Sequence, residues 1–154
     1  MSFGAAWARA EQAVTEKRIP CAVLGVVNAD GRQVAVAGSA AVVPEAVPVT
    51  RDTIFDLASL TKPVFTTERI LAHASAGRVD LDAPLISVIP DFRQYHSDCW
   101  ERATTFRDCL GHRTHVTAVA PIYTYGHDPA ALRAFVLQRE WPRVETPVYS
   151  DINF

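Results

Sequence analysis

Phe55-Asp56-Leu57-Ala58-Ser59-Leu60-Thr61-Lys62-Pro63 decides how this chain is read. Pro63 has no backbone N–H and is comfortable only in the first turn of a helix, so the stretch predicts a helix opening just before it, with Ser59 at or near its N-terminus. Residues three apart on a helix share a face, which brings the Ser59 hydroxyl within reach of the Lys62 ammonium. A lysine lowered in pKa by partial desolvation can take the proton of a neighbouring hydroxyl and turn it into a nucleophile. The four-residue pattern alone arises by chance roughly once in a few hundred positions. What raises it above a surface helix start is its setting: Phe55 and Leu57 before it and an apolar helix after it, in which Ile70, Leu71 and Ala74 continue the buried face until Gly77 stops it.

Upstream of this stretch, Phe3, Trp7, Ala10 and Val14 recur at helical spacing, predicting an amphipathic helix over about residues 3–18 that ends near Pro20. Cys21 to Asn28 and Arg32 to Ala41 are rich in Val and Ala and flank Asn28-Ala29-Asp30-Gly31, the pattern of an antiparallel hairpin. Pro44 and Pro48 make the following connection irregular. Downstream, Arg78 to Leu85 reads as a turn into a short helix ending at Pro90-Asp91, and Thr105 to Leu110 as the start of another. Residues 111–127 carry no clear pattern. Asp128-Pro129 is an N-cap followed by proline at the first helical position, predicting a helix to about Glu140.

With 154 residues, 49% of them hydrophobic and 21% charged, the chain has the size and apolar content of one globular domain. A formal net charge of −2 with interspersed signs offers no basic stripe for phosphates, so nucleic acid and membrane surfaces are not expected partners. No stretch reaches the roughly 20 apolar residues of a membrane span, and residues 1–11 lack the basic and apolar regions of a leader, which makes the cytoplasm the expected location. Three widely spaced cysteines, Cys21, Cys99 and Cys109, read as reduced thiols. Cys109, His112 and His115 raise the idea of a zinc site, but their spacing matches no standard finger and lacks a clear fourth ligand; no metal or other cofactor is expected.

Three stretches together resemble the serine β-lactamase and penicillin-binding-protein superfamily, in the branch of class C β-lactamases, related esterases and D-alanyl-D-alanine carboxypeptidases. They are Phe55 to Lys62, then Ala76 to Leu85 with the following Pro90-Asp91-Phe92, and Pro147-Val148-Tyr149-Ser150-Asp151. The Ser-x-x-Lys pattern is common to β-lactamases and penicillin-binding proteins. The resemblance implies an α+β, β-lactamase/transpeptidase-like fold, with residues 1–50 supplying a helix and hairpin and residues 51–154 the nucleophile helix and much of the helical region. It further implies Ser59 as the acylated nucleophile, Lys62 as its activating partner, Tyr149 as the tyrosine of a Tyr-x-Asn motif that shuttles the proton, and Asp151 at that motif's substrate-binding position.

Two places depart from the family pattern. Asp151 stands where asparagine is usual, adding a negative charge near Lys62 and removing an amide donor, which favours ester hydrolysis over β-lactam turnover. Leu110 to Val116 keeps only part of a Leu-Leu-x-His-x-Ser-Gly-Leu-like turn. The later Lys-Thr-Gly or His-x-Gly strand does not fall within these residues, and the resemblance covers roughly the first two-fifths of a typical member. The expected function is therefore a serine hydrolase working through an acyl-enzyme on a small ester, amide or lactam, weakly active or inactive as this chain alone. The expected partners include a complementary C-terminal chain, or a second copy paired through an exposed sheet edge. The contrasting readings are a non-catalytic relic or assembly module that keeps half of the fold, and a penicillin-binding protein that acylates without turnover.

Overall fold

The computed structural model describes residues 2–154, and the chain forms two compact units, Met1–Asp56 and Leu57–Phe154. In the first unit, helix α1 (Phe3–Thr15) starts at Ser2, whose hydroxyl accepts from the Ala5 N–H at 3.3 Å. It stops short of the expected residue 18 because Lys17 turns left-handed, with φ 57°, and the N–H groups of Lys17 and Arg18 fold back onto the carbonyls of Val14 and Ala13.

Strand β1 (Cys21–Asn28) pairs antiparallel with β2 (Gly31–Ala41) through the expected hairpin, in a register from Asn28 opposite Gly31 to Cys21 opposite Gly38. Its turn is fixed by the Asn28 side chain accepting from the Asp30 N–H at 3.0 Å. A short β3 (Val47–Pro48) pairs with the far end of β2, giving the order β1-β2-β3. The outer edge of β1 has no strand partner among the described residues, and Val27 on it is 81% exposed. Helix α1 packs on β1 and β2, closely enough at Gly38 (φ +92°) that a Cβ there would sit 2.9 Å from Val14 Cγ1 and 2.8 Å from Cys21 Cα.

The second unit opens with a 3-10 turn (Ala58–Leu60), a π-helical turn (Lys62–Thr67) and α2 (Glu68–Ser75), so the predicted nucleophile helix is present but irregular at its start. Pro63 sits in the first turn of the π-helical segment, where its missing N–H is tolerated. Gly77, at φ 68°, ends the segment as expected. The predicted helix before Pro90 is a single 3-10 turn, Leu85–Ser87, held by the Leu85 N–H on the Thr104 carbonyl at 2.8 Å.

Helix α3 (Phe106–Leu110) begins with a reciprocal capping box: Thr105 Oγ1 accepts from the Asp108 N–H, and Asp108 Oδ2 accepts from the Thr105 N–H. Helix α4 (Pro129–Gln138) is capped by Asp128, which accepts from the Ala130 N–H at 3.0 Å. Phe106, Val116 and Trp141 are the buried apolar side chains here, with Trp141 Nε1 donating to the Val136 carbonyl at 3.1 Å. Residues 144–151 run beside 115–118: Val144 N–H donates to His115 O at 2.8 Å and Asp151 N–H to Ala118 O at 2.9 Å. This pairing carries the 149–153 segment back to the helical segment that holds Lys62. No described helix is long and apolar enough to cross a membrane.

Candidate active site

Ser59, Lys62, Tyr149 and Asp151 all lie within the second unit. Ser59, Lys62 and Tyr149 line one cleft of about 570 Å3, together with Leu110, His112 and Phe154. Lys62 Nζ donates to Ser59 Oγ at 3.0 Å, the contact the three-residue spacing predicts. The residue before Ser59, Ala58, has φ 44°, a conformation that costs an alanine energy and sets the turn from which the Ser59 side chain projects.

The second half of the site comes from the 149–153 segment. Ser150 is fully buried, its Oγ donating to the Thr117 carbonyl at 2.6 Å and accepting from the Ile152 N–H at 3.2 Å, which pins the backbone between Tyr149 and Asp151. Asp151 Oδ1 then takes a hydrogen bond from Lys62 Nζ at 2.8 Å. Lys62 is nearly buried, at 14% side-chain exposure, while Asp151 is half exposed. Lys62 Nζ also stands 5.1 Å from the Tyr149 ring centroid.

These contacts set the charges. The hydrogen bonds to Asp151 and then to Tyr149 hold the Lys62 ammonium above the ordinary lysine range, outweighing the opposite effect of burial. The expectation of a lysine lowered toward neutrality is thus corrected: the acid at position 151 gives Lys62 a counter-charge that desolvation does not overcome. Tyr149 moves the other way, its phenol drawn below the usual range by hydrogen bonds to Ser59 and then Lys62. The two shifts are opposite in sign, raising the proton affinity of Lys62 and lowering that of the neighbouring phenol.

His112 and its neighbours are functional candidates to which the sequence alone assigns no role. The His112 ring lies on Tyr149, centroids 4.1 Å apart, and its Nδ1 accepts from the Ser150 N–H at 3.1 Å and approaches Asn153 Nδ2 at 3.3 Å. Asn153 Oδ1 in turn accepts from Thr114 Oγ1 at 2.6 Å. The signal that points to them is the partial His-x-Ser-Gly-like turn, in which His115, standing at the glycine position, has φ 63°. Among the described residues no group of three or more His, Cys, Asp or Glu is gathered as a metal site, and burial pushes the Cys109 thiol up to about 12.

The beta-lactamase family model matches residues 7–154. The chain belongs to the beta-lactamase family. Its fold is that of solved members: the class C beta lactamase of Rhodobacter sphaeroides superposes with a TM-score of 0.74 at 26% identity, covering 97% of this chain and 41% of that one. The beta-lactamase of Sulfitobacter sp. EE-36 superposes with a TM-score of 0.71 at 28% identity, covering 96% and 39%. Esterase EstB of Burkholderia gladioli is 37% identical over 65 residues, which is 42% of this chain and 16% of the esterase. The chain thus spans about two-fifths of the length of its solved relatives, and its match to the esterase covers a smaller part of that protein. The family relatives support a function of the serine hydrolase type.

Proposed function

We propose that this chain carries the nucleophile half of a serine hydrolase that cleaves carboxylic esters through an acyl-enzyme. The observation that carries the reading is the cluster of Ser59, Lys62 and Tyr149, in which Lys62 donates to Ser59 Oγ at 3.0 Å while the phenol is shifted toward ionisation. Tyr149, as phenolate, takes the Ser59 proton as Oγ adds to the substrate carbonyl carbon. Lys62 stays an ammonium throughout and stabilises both the phenolate and the developing negative charge. The tetrahedral adduct collapses as the phenol returns its proton to the departing alkoxide. Water then attacks the acyl-Ser59 ester, losing its proton to the phenolate, and the phenol returns that proton to Ser59 Oγ as the acid is released.

Asp151 supports ester over lactam as substrate. Its carboxylate cancels the charge of Lys62, so a substrate that carries its own carboxylate meets an ion pair with no net positive charge. The similarity to Esterase EstB points the same way. A complementary C-terminal segment would supply the remaining wall of the cleft, a partner suggested by the span of the solved relatives, about 40% of which this chain covers.

The deciding experiment is intact-mass analysis of the purified native protein after exposure to a fluorophosphonate, with a Ser59→Ala variant beside it. Attack of Ser59 Oγ on phosphorus with loss of fluoride adds one phosphonyl group to the wild type and none to the variant. A well-folded protein that takes no adduct would overturn the reading in favour of a non-catalytic assembly module.

A further inference from the structure

The structure assigns His112 as the positioning residue of Tyr149: its ring face seats the phenol, and its Nδ1 fixes the backbone immediately after it. This rests on the acyl-transfer reading above, and it adds a residue that neither the Ser-x-x-Lys nor the Tyr-x-Asn pattern contains. A backbone N–H can only donate, so the 3.1 Å contact from Ser150 N–H makes Nδ1 an acceptor and places the proton of the neutral ring on Nε2. The same ring stacks on Tyr149, tilted by 30°, with Phe154 5.2 Å away and also against it. Two independent contacts on consecutive residues, Tyr149 and Ser150, thereby run to one side chain.

His112 is itself held firmly. It adopts φ 53°, a left-handed conformation that persists only where the surroundings impose it. Those surroundings are the Gly111-to-Thr114 turn, with the His112 N–H on the Cys109 carbonyl at 3.0 Å and the Thr114 hydroxyl on Asn153 at 2.6 Å. Asn153 completes the loop by reaching His112 Nδ1 at 3.3 Å. The charged and titratable groups that face the phenol are Lys62, from the π-helical turn, Asp151, from the final 3-10 turn, and His112. Removing the imidazole leaves Lys62 and Asp151 in place but frees the phenol to leave Ser59, and misplacement of a proton carrier by about 1 Å can cost on the order of 100-fold in rate.

The test uses the intact protein carrying tyrosine labelled with carbon-13 at Cζ, with Tyr149→Phe identifying the resonance. Two quantities are read in wild type, His112→Ala and His112→Asn: the pH at which Tyr149 titrates and the rate of fluorophosphonate labelling of Ser59. Wild-type Tyr149 is expected to titrate below an ordinary phenol. In His112→Ala the titration should move up toward the ordinary phenol, with labelling slowed about 10- to 100-fold. His112→Asn, which returns an acceptor near the Nδ1 position, should recover part of both. If His112→Ala does not fold, His112→Phe takes its place, keeping the ring area without the acceptor. Folded variants whose phenol titration does not move overturn the positioning role, whether or not Ser59 reacts. A titration that moves while wild-type Ser59 stays unlabelled keeps the role and overturns the acyl-transfer reading instead.

Discussion

Asp151 accepts a hydrogen bond from Lys62 Nζ at 2.8 Å, an ion pair that joins two motifs 89 residues apart. This contact is the largest cause of the upward shift of the Lys62 ammonium. The carboxylate favours the charged form of Lys62, and in the proposed mechanism the Tyr149 phenol is the group that exchanges protons with Ser59.

Acylation of Ser59 should rise with pH as Tyr149 ionises, with the midpoint below the ordinary phenol value of 10.0. The sign follows from the lowered folded-state value: the phenolate is favoured in the native protein and is lost as pH falls through that value. Lys62, raised above 10.5, keeps its proton across the same window, so the rate should hold a plateau before falling. Tyr149→Phe should remove the rising limb and slow labelling by roughly 100-fold or more. A limb that persists in Tyr149→Phe would assign the base elsewhere.

Asp151→Asn removes the carboxylate that is the largest cause of the raised Lys62 value. The fall in rate at high pH should then begin at a lower pH than in the wild type. The variant also leaves the Lys62 charge without its partner, so the ratio of labelling by a carboxylate-bearing lactam to labelling by a neutral ester should rise. Competition of both substrates against a fluorophosphonate reads this ratio, and an unchanged or reduced value would remove Asp151 from substrate selection.

Cys109 should resist alkylation in the native state. With its thiol pushed up to about 12 by burial, roughly one molecule in ten thousand carries the thiolate at pH 8. Peptide mapping after iodoacetamide should find Cys109 unmodified unless denaturant is present. The neutral thiol is the form the fold favours, so this residue's contribution to stability should fall as pH rises from the ordinary thiol value of 9.0 toward about 12.

Gly38→Ala should destabilise the first unit by about 1–3 kcal/mol, because a side chain is strained at φ +92° and its Cβ meets the β1 backbone as well as Val14. Thermal unfolding followed by circular dichroism measures the loss. An unfolding temperature equal to the wild type would mean that α1 does not press on β2 at this point.

Much of the local structure was legible in the residues. Asn28 to Gly31 specifies the hairpin turn, and the observed strands start and stop within one residue of the segments rich in Val and Ala. Asp128-Pro129 marks the start of α4, and Thr105 with Asp108 supplies the caps that start α3. The end of α1 was less legible, because a left-handed lysine is not a residue-type signal as glycine is. The helix expected before Pro90 is only one turn, Leu85–Ser87, and leaves helical backbone angles at Val88, where φ is −124°.

For the site, the order of residues alone sets which groups are available and one local distance. Ser59 and Lys62 are three residues apart, and helical winding places them together wherever the chain takes that winding. The identity of Asp151 was equally plain, along with the negative charge it brings. The direction in which each group's proton affinity shifts comes instead from how the chain folds. The value of Lys62 depends on whether burial or a counter-charge dominates, and that balance is set by the return of residues 149–151 along 115–118 to the helical segment that holds Lys62. The role of His112 was likewise undecided until folding stacked its ring on Tyr149 and aimed Nδ1 at Ser150, since stacking and hydrogen bonding act only over a few ångströms.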